Sequence, residues 1–174
     1  MRWSLIPVLL LAGCQNAPAP TSGGRPAVSA SADDPYPAAR VEIRGGSFAD
    51  VEKAIAQQRG KVVVVDFWAE YCPPCVDGMP HLVELQQRYG QDQLVVISVN
   101  LDEPANRPRA LAMLQRNQAR LINLARDPQH RDWQVLTFQI IPHSWIYDRE
   151  GKRVYDGSGL HHLVTAQVEQ LLTR

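Results

Sequence analysis

Cysteine is scarce in this chain: there are three, Cys14, Cys72 and Cys75, among 174 residues. A structural zinc site needs four ligands, and the pair Cys72/Cys75 has only the distant Cys14 to add to it, so zinc is disfavoured. A purely structural disulfide between Cys72 and Cys75 would close so short a loop that it could remove little entropy from the unfolded chain. Charge imbalance is also lacking: 18 Lys+Arg against 18 Asp+Glu give a formal net charge of zero. With no Lys/Arg block and no interleaving of basic and aromatic residues, the electrostatic footprint of a nucleic-acid binder is missing. Long hydrophobic runs are absent too. The apolar stretch Leu5–Leu11, interrupted by Pro7, is too short to cross a bilayer as a stable helix. No internal repeat and no Met-rich copper motif is visible.

The N-terminus carries Arg2, then that short apolar stretch, then Leu11-Ala12-Gly13-Cys14. A basic start, an apolar centre and small residues before a cleavage point make an export signal. The Leu-Ala-Gly-Cys arrangement resembles the lipobox of bacterial lipoproteins. That resemblance implies that residues 1–13 are a lipoprotein signal peptide and that Cys14 is lipidated as the first residue of the mature chain. Ordinary cleavage within the following alanines, which would discard Cys14, is the alternative. Residues 14–40 hold the anchor site and then a stretch dense in Ala, Pro, Ser and Gly. With too little apolar content for a core, it is expected to be a disordered tether. A location on the periplasmic side of a bacterial membrane follows, with the membrane itself as a partner through Cys14. There a dithiol needs another protein to set its redox state, because the periplasm is kept oxidising by kinetics and not by a thiol buffer.

The centre of interest is Trp68-Ala69-Glu70-Tyr71-Cys72-Pro73-Pro74-Cys75, directly after the apolar run Val62–Phe67. A Cys-x-x-Cys that follows a buried strand and opens a helix places its first sulfur where unpaired N–H groups and the helix dipole favour a thiolate. The thiolate is the form that attacks disulfides. Cys72 is therefore the expected nucleophile, and Cys75, one turn further and more enclosed, the residue that resolves the mixed disulfide.

Around this motif, helical and strand periods alternate. Phe48–Arg59 has a helical apolar spacing, Lys61–Trp68 reads as a buried strand, and Pro73–Tyr89 reads as a helix kinked at Pro80. Leu94–Asn100 is the next strand, Arg109–Asn117 a helix and Leu121–Leu124 a short strand. Asp127 is expected to cap a helix through Asp132–Leu136, with Pro128 at its first position. Ser144–Asp148 and Arg153–Asp156 form a hairpin, and Leu160–Leu172 closes the chain as a helix. The fold class is α/β, a mixed sheet covered on both faces by helices.

The valine-rich strand, Asp66, Trp68 and the Cys72–Cys75 motif, together with Ile141-Pro142 before the strand Ser144–Asp148, resemble the thioredoxin superfamily. Residues 41–174 are thus identified as one thioredoxin-like domain. Cys72-Pro73-Pro74-Cys75, Met79-Pro80 and an extra helix–strand insertion at about 106–124 resemble the TlpA/ResA branch of thiol–disulfide oxidoreductases. The resemblance implies protein disulfides as substrates, no cofactor, a monomer, and a membrane protein as electron donor. It also implies use as a reductant, as in cytochrome c maturation.

For the site, the resemblance implies that the bond before Pro142 is cis, so that the backbone of Ile141 docks a substrate strand beside the sulfurs. Base rates for an arbitrary X–Pro bond favour trans. Trp68 and Tyr71 would shape the platform around the thiols. Asp66, in the middle of an apolar strand, matches the family's buried acid and would take the proton of Cys75. The alternative is a protonated Asp satisfied by a hydrogen bond in the core. Three positions depart from the family pattern: Tyr71 for Trp, His143 for Thr, and Gly78 where the branch carries Glu. A second function resembles exported copper-handling thioredoxin-like proteins, with Cys72, Cys75 and His143 binding copper(I). His81, His161 and His162 read as surface residues and His130 as part of a polar loop.

Overall fold

A computed structural model describes residues 41–173 of the chain. The expected signal peptide, the lipidated Cys14 and the tether lie outside the described residues. Six strands form one sheet: β1 (Arg44–Gly46), β2 (Val62–Trp68), β3 (Leu94–Asn100), β4 (Ile122–Arg126), β5 (His143–Tyr147) and β6 (Arg153–Ser158), in the order β1-β4-β3-β2-β5-β6. β1, β4, β3 and β2 run parallel, while β5 and β6 are antiparallel. The helices are α1 (Phe48–Ala56), α2 (Pro73–Tyr89), α3 (Arg107–Arg116) and α4 (His161–Leu172).

β2 and β3 are buried at every position, as strands covered on both faces must be. One apolar layer joins Val62, Val64 and Trp68 to Met79 and Leu82 of α2, Met113 and Leu114 of α3, and Val164 and Val168 of α4. The opposite layer joins Val63, Val65 and Phe67 to Phe48 and Val51 of α1 and to Trp133 and Trp145. Alternate residues of β2 therefore feed two different cores. Cys72 and Cys75 belong to the first layer, which fixes the face on which the chemistry sits. The expected helix–strand insertion is α3 and β4, and β4 enters the sheet between β3 and the edge strand β1.

Several elements differ from expectation. α1 ends at Ala56, not Arg59; it starts in a full capping box, Ser47 accepting from the Asp50 amide while Asp50 accepts from the Ser47 amide. β4 lies further on than expected. Residues 131–135 form a short 3₁₀ helix, and Asp127 caps no helix: its carboxylate accepts from the Gln129 amide in a turn. β1 has no counterpart in the sequence reading.

Candidate active site

The thiols are positioned by the crossing from β2 to α2. After Trp68 the chain turns, with the Cys72 amide donating to the Ala69 carbonyl at 3.2 Å. Cys72 is the N-cap of α2 in extended conformation, and Pro73 and Pro74 open the helix. Proline is tolerated there because the first helical amides have no partner inside the helix. The carbonyl of Cys72 then accepts from the amides of Cys75 and Val76 at 3.0 and 3.1 Å. Cys72 and Cys75 form a disulfide with their Cα atoms 5.3 Å apart. Both are buried, and Cys72 is the more exposed of the two. The two prolines supply no N–H groups to the first turn, and the next two amides are taken by the Cys72 carbonyl, so thiolate stabilisation here rests on the helix dipole.

Asp66 lies on the same face of β2 as Trp68, two residues earlier, and is 2% exposed. Its Oδ1 accepts a hydrogen bond from the Ser144 hydroxyl at 2.8 Å. Burial pushes its carboxyl up to about 7, with the Ser144 hydrogen bond opposing that rise. Strand register puts Ser98 of β3 and Ser144 of β5 on either side of Asp66, so the acid stands in a polar row within an apolar layer. Gly159 seals it. A Cβ at that position would come within 2.8 Å of Ser144 Oγ, 2.9 Å of the Pro142 carbonyl carbon and 3.0 Å of Asp66 Oδ1, and the Gly159 amide donates to the Pro142 carbonyl at 2.8 Å.

The Ile141–Pro142 bond is cis, as the resemblance implied. Ile141 is half-buried and Pro142 buried. Tyr71 is 70% exposed and Ile140 78% exposed, so two large apolar side chains stand open on the segments that flank the site. Trp68 requires a correction. It is wholly buried, its indole N–H donating to Ser98 Oγ at 2.7 Å; it supports the site from beneath and offers no surface to a substrate.

His143 is not brought to the thiols. It pairs with Phe67 across β2 and β5, and Phe67 belongs to the opposite core layer. There its ring stacks on Phe138 at 4.1 Å and its Nε2 lies 2.8 Å from an Asp156 carboxylate oxygen. His81 and His161 stack at 3.9 Å, and burial together with the neighbouring His81 and His162 holds the His161 imidazole below its ordinary range. Among the described residues no group of three His, Cys, Asp or Glu is arranged to hold a metal ion.

Sequence reasoning missed Ser144, Gly159, Asn100 and Asp102. The first two meet Asp66 only through sheet register and the return of the chain after β6. The last two carried a local signal, polar residues at the end of an otherwise apolar strand.

A parallel β-α-β core, a Cys-x-x-Cys at the N-terminus of α2, a buried Asp on the same face of the sheet and a cis-proline before an antiparallel hairpin define a thioredoxin-type fold and site. Residues 60–153 match the family model described as Thioredoxin-like, and the chain belongs to that family. It is 35% identical over 101 residues, 56% of its own length, to the thiol:disulfide interchange protein DsbE homolog of Paracoccus denitrificans, covering 51% of that protein. It is 40% identical over 50 residues, 29% of its own length, to the thiol-disulfide oxidoreductase ResA of Halalkalibacterium halodurans, covering 28% of it. The chain spans from 17% to 51% of the length of these and other curated relatives. Its fold is similar to a crystal structure of a candidate DsbE thiol:disulfide interchange protein from Chlorobium tepidum, with a TM-score of 0.52 and 28% identity over 68% of this chain and 82% of that one.

Proposed function

We propose that this protein is a thiol–disulfide oxidoreductase that reduces disulfides in other proteins. The observation that carries the reading is the Cys72–Cys75 disulfide at the N-terminus of α2, on the same face of the sheet as a buried acid whose carboxyl is raised to about 7. In the reduced protein the Cys72 thiolate attacks one sulfur of a substrate disulfide; a mixed disulfide forms and one substrate thiolate leaves. Cys75 passes its proton to the Asp66 carboxylate and attacks the Cys72 sulfur. The Cys72–Cys75 disulfide forms and the second substrate thiolate departs, so two electrons have moved to the substrate. An acid with a pKa near the working pH suits that transfer. The substrate chain lies against Tyr71 and the backbone of Ile141-Pro142 as an added strand.

The direction is supported by the two prolines. A couple is oxidising when its reduced, thiolate form is strongly stabilised; Pro73 and Pro74 withdraw two donors from that thiolate, which favours the disulfide and makes the dithiol a better reductant. The similarity to a DsbE homolog supports a place in cytochrome c maturation, with electrons drawn from a membrane protein. The Leu11–Cys14 segment supports lipid anchoring at Cys14 on the periplasmic side of a bacterial membrane.

The test is capture. The Cys75→Ser variant should retain substrates as mixed disulfides on Cys72, released by dithiothreitol, while Cys72→Ser should retain none. Equal capture by both variants, or by neither, contradicts the reading.

A further inference from the structure

Beyond the dithiol and Asp66, the described residues contain a second buried carboxylate that this mechanism leaves unused. Asp102 lies two residues past the end of β3 and is 1% exposed. Its Oδ2 accepts from the backbone amide of Glu70 at 2.9 Å and from the side-chain amide of Asn100 at 2.6 Å. Asn100 is itself fully buried and accepts from the Asp102 amide at 3.3 Å. The second oxygen, Oδ1, is buried without a hydrogen-bond partner among the described residues. A buried carboxylate left half-satisfied costs stability that an apolar side chain would not, so the position asks for a reason.

Geometry supplies one. Glu70 sits in the segment Ala69–Tyr71 that carries the chain from β2 to Cys72. At one end the segment is tied by the Leu101 amide donating to the Trp68 carbonyl at 2.8 Å, and at the other by the Cys72 amide donating to the Ala69 carbonyl. The bond from Glu70 to Asp102 adds a second tie to the chain just after β3, at the middle of the segment. Asn100 holds the Asp102 carboxylate in place to receive it.

We propose that Asp102 is a positioning residue: through the Glu70 amide it clamps the 69–71 segment, and so holds the Cys72 sulfur at the N-terminus of α2 where its thiolate is stabilised. Asp102 does not touch the reacting atoms. The proposal rests on Cys72 being the attacking thiol. The role belongs to the acceptor oxygen and not to the charge, so an amide can fill it.

The experiment follows the full chain, reduced, with alkylation by iodoacetamide measured at Cys72 by peptide mass spectrometry across pH. Asp102→Ala should slow alkylation of Cys72 at pH 7 by about tenfold and move the midpoint of its pH profile upward by about one unit. Asp102→Asn, which keeps an acceptor for both amides, should stay within about twofold of wild type. Hydrogen exchange in the wild-type protein gives a reading that needs no variant: the Glu70 amide should be strongly protected. A freely exchanging Glu70 amide, or a folded Asp102→Ala protein with an unchanged Cys72 profile, would overturn the clamp. Failure of Cys75→Ser to capture substrates as mixed disulfides on Cys72 would instead sink the functional reading on which the clamp rests.

Discussion

At the scale of single residues, Asp66 makes the sharpest claims. Its carboxyl is held at about 7 by burial, far above an ordinary aspartate in the unfolded chain. Between roughly pH 4 and pH 7 the folded protein therefore keeps a proton that the unfolded chain has lost. Stability contributed by this site falls as pH rises through that window and levels off above it. Asp66→Asn, neutral at every pH, is expected to be more stable than wild type at pH 8 by on the order of 4 kcal/mol, with the gap closing toward pH 4; urea denaturation at the two pH values measures it. The same variant should accumulate mixed disulfides, because Cys75 loses its proton acceptor. Gly159→Ala tests the packing around the acid: its Cβ would press on Ser144, Pro142 and Asp66. A loss of about 1–3 kcal/mol is expected from such overpacking, and an unchanged melting temperature would contradict it. The two thiols, Asp66 and Pro142 were legible because each is marked in its own neighbourhood or by family motif. Trp68 lies on the face of the thiols, and its burial was not legible because it depends on the helices that cover the end of β2. Ser144 and Gly159 were invisible because their partner is distant in sequence and is reached only when β5 and the chain after β6 return to β2.

At the scale of elements, strongly periodic segments were read well and weak ones were not. β2, β3 and α2 carry long apolar or helical patterns, and the β5–β6 hairpin is marked by the turn Arg149-Glu150-Gly151-Lys152. β1 is Arg44-Gly45-Gly46, which has almost no strand propensity of its own; it is a strand because β4 offers it hydrogen bonds. The 131–135 segment is too short and too exposed to sustain an α-helix, and it closes as a 3₁₀ turn anchored by Trp133, whose indole N–H donates to the Gly46 carbonyl at 3.0 Å. α2 contains two informative positions. An added Cβ at Gly78 would meet nothing within 4 Å, so Gly78→Ala is expected to stabilise the protein by about 0.5–1 kcal/mol through helix propensity, read from the midpoint of denaturant unfolding. Pro74→Ala restores one amide donor beside Cys72. It is expected to raise the reduction potential by on the order of 10–30 mV, and a fall in potential would remove the structural support for a reductant.

At the scale of the whole molecule, the proposed function places a reducing thioredoxin-type domain at a membrane through lipid on Cys14. The full chain expressed in a Gram-negative cell should partition with membranes. Cys14→Ser should release it to the soluble fraction; retention of that variant in the membrane would rule out anchoring through Cys14. The alternating apolar and helical periods of the described residues were legible as one α/β unit, because each period specifies its own element. The direction of electron flow was not legible, since it depends on how a folded helix terminus treats one sulfur. The measurement that bears most directly on the central claim is the equilibrium reduction potential of the Cys72–Cys75 couple in the full chain, by titration against glutathione and dithiothreitol with the Cys72→Ser, Cys75→Ser double variant as control. A two-electron couple near thioredoxin's value of about −270 mV is the predicted result; a value near about −120 mV, that of a strong oxidant, would contradict it.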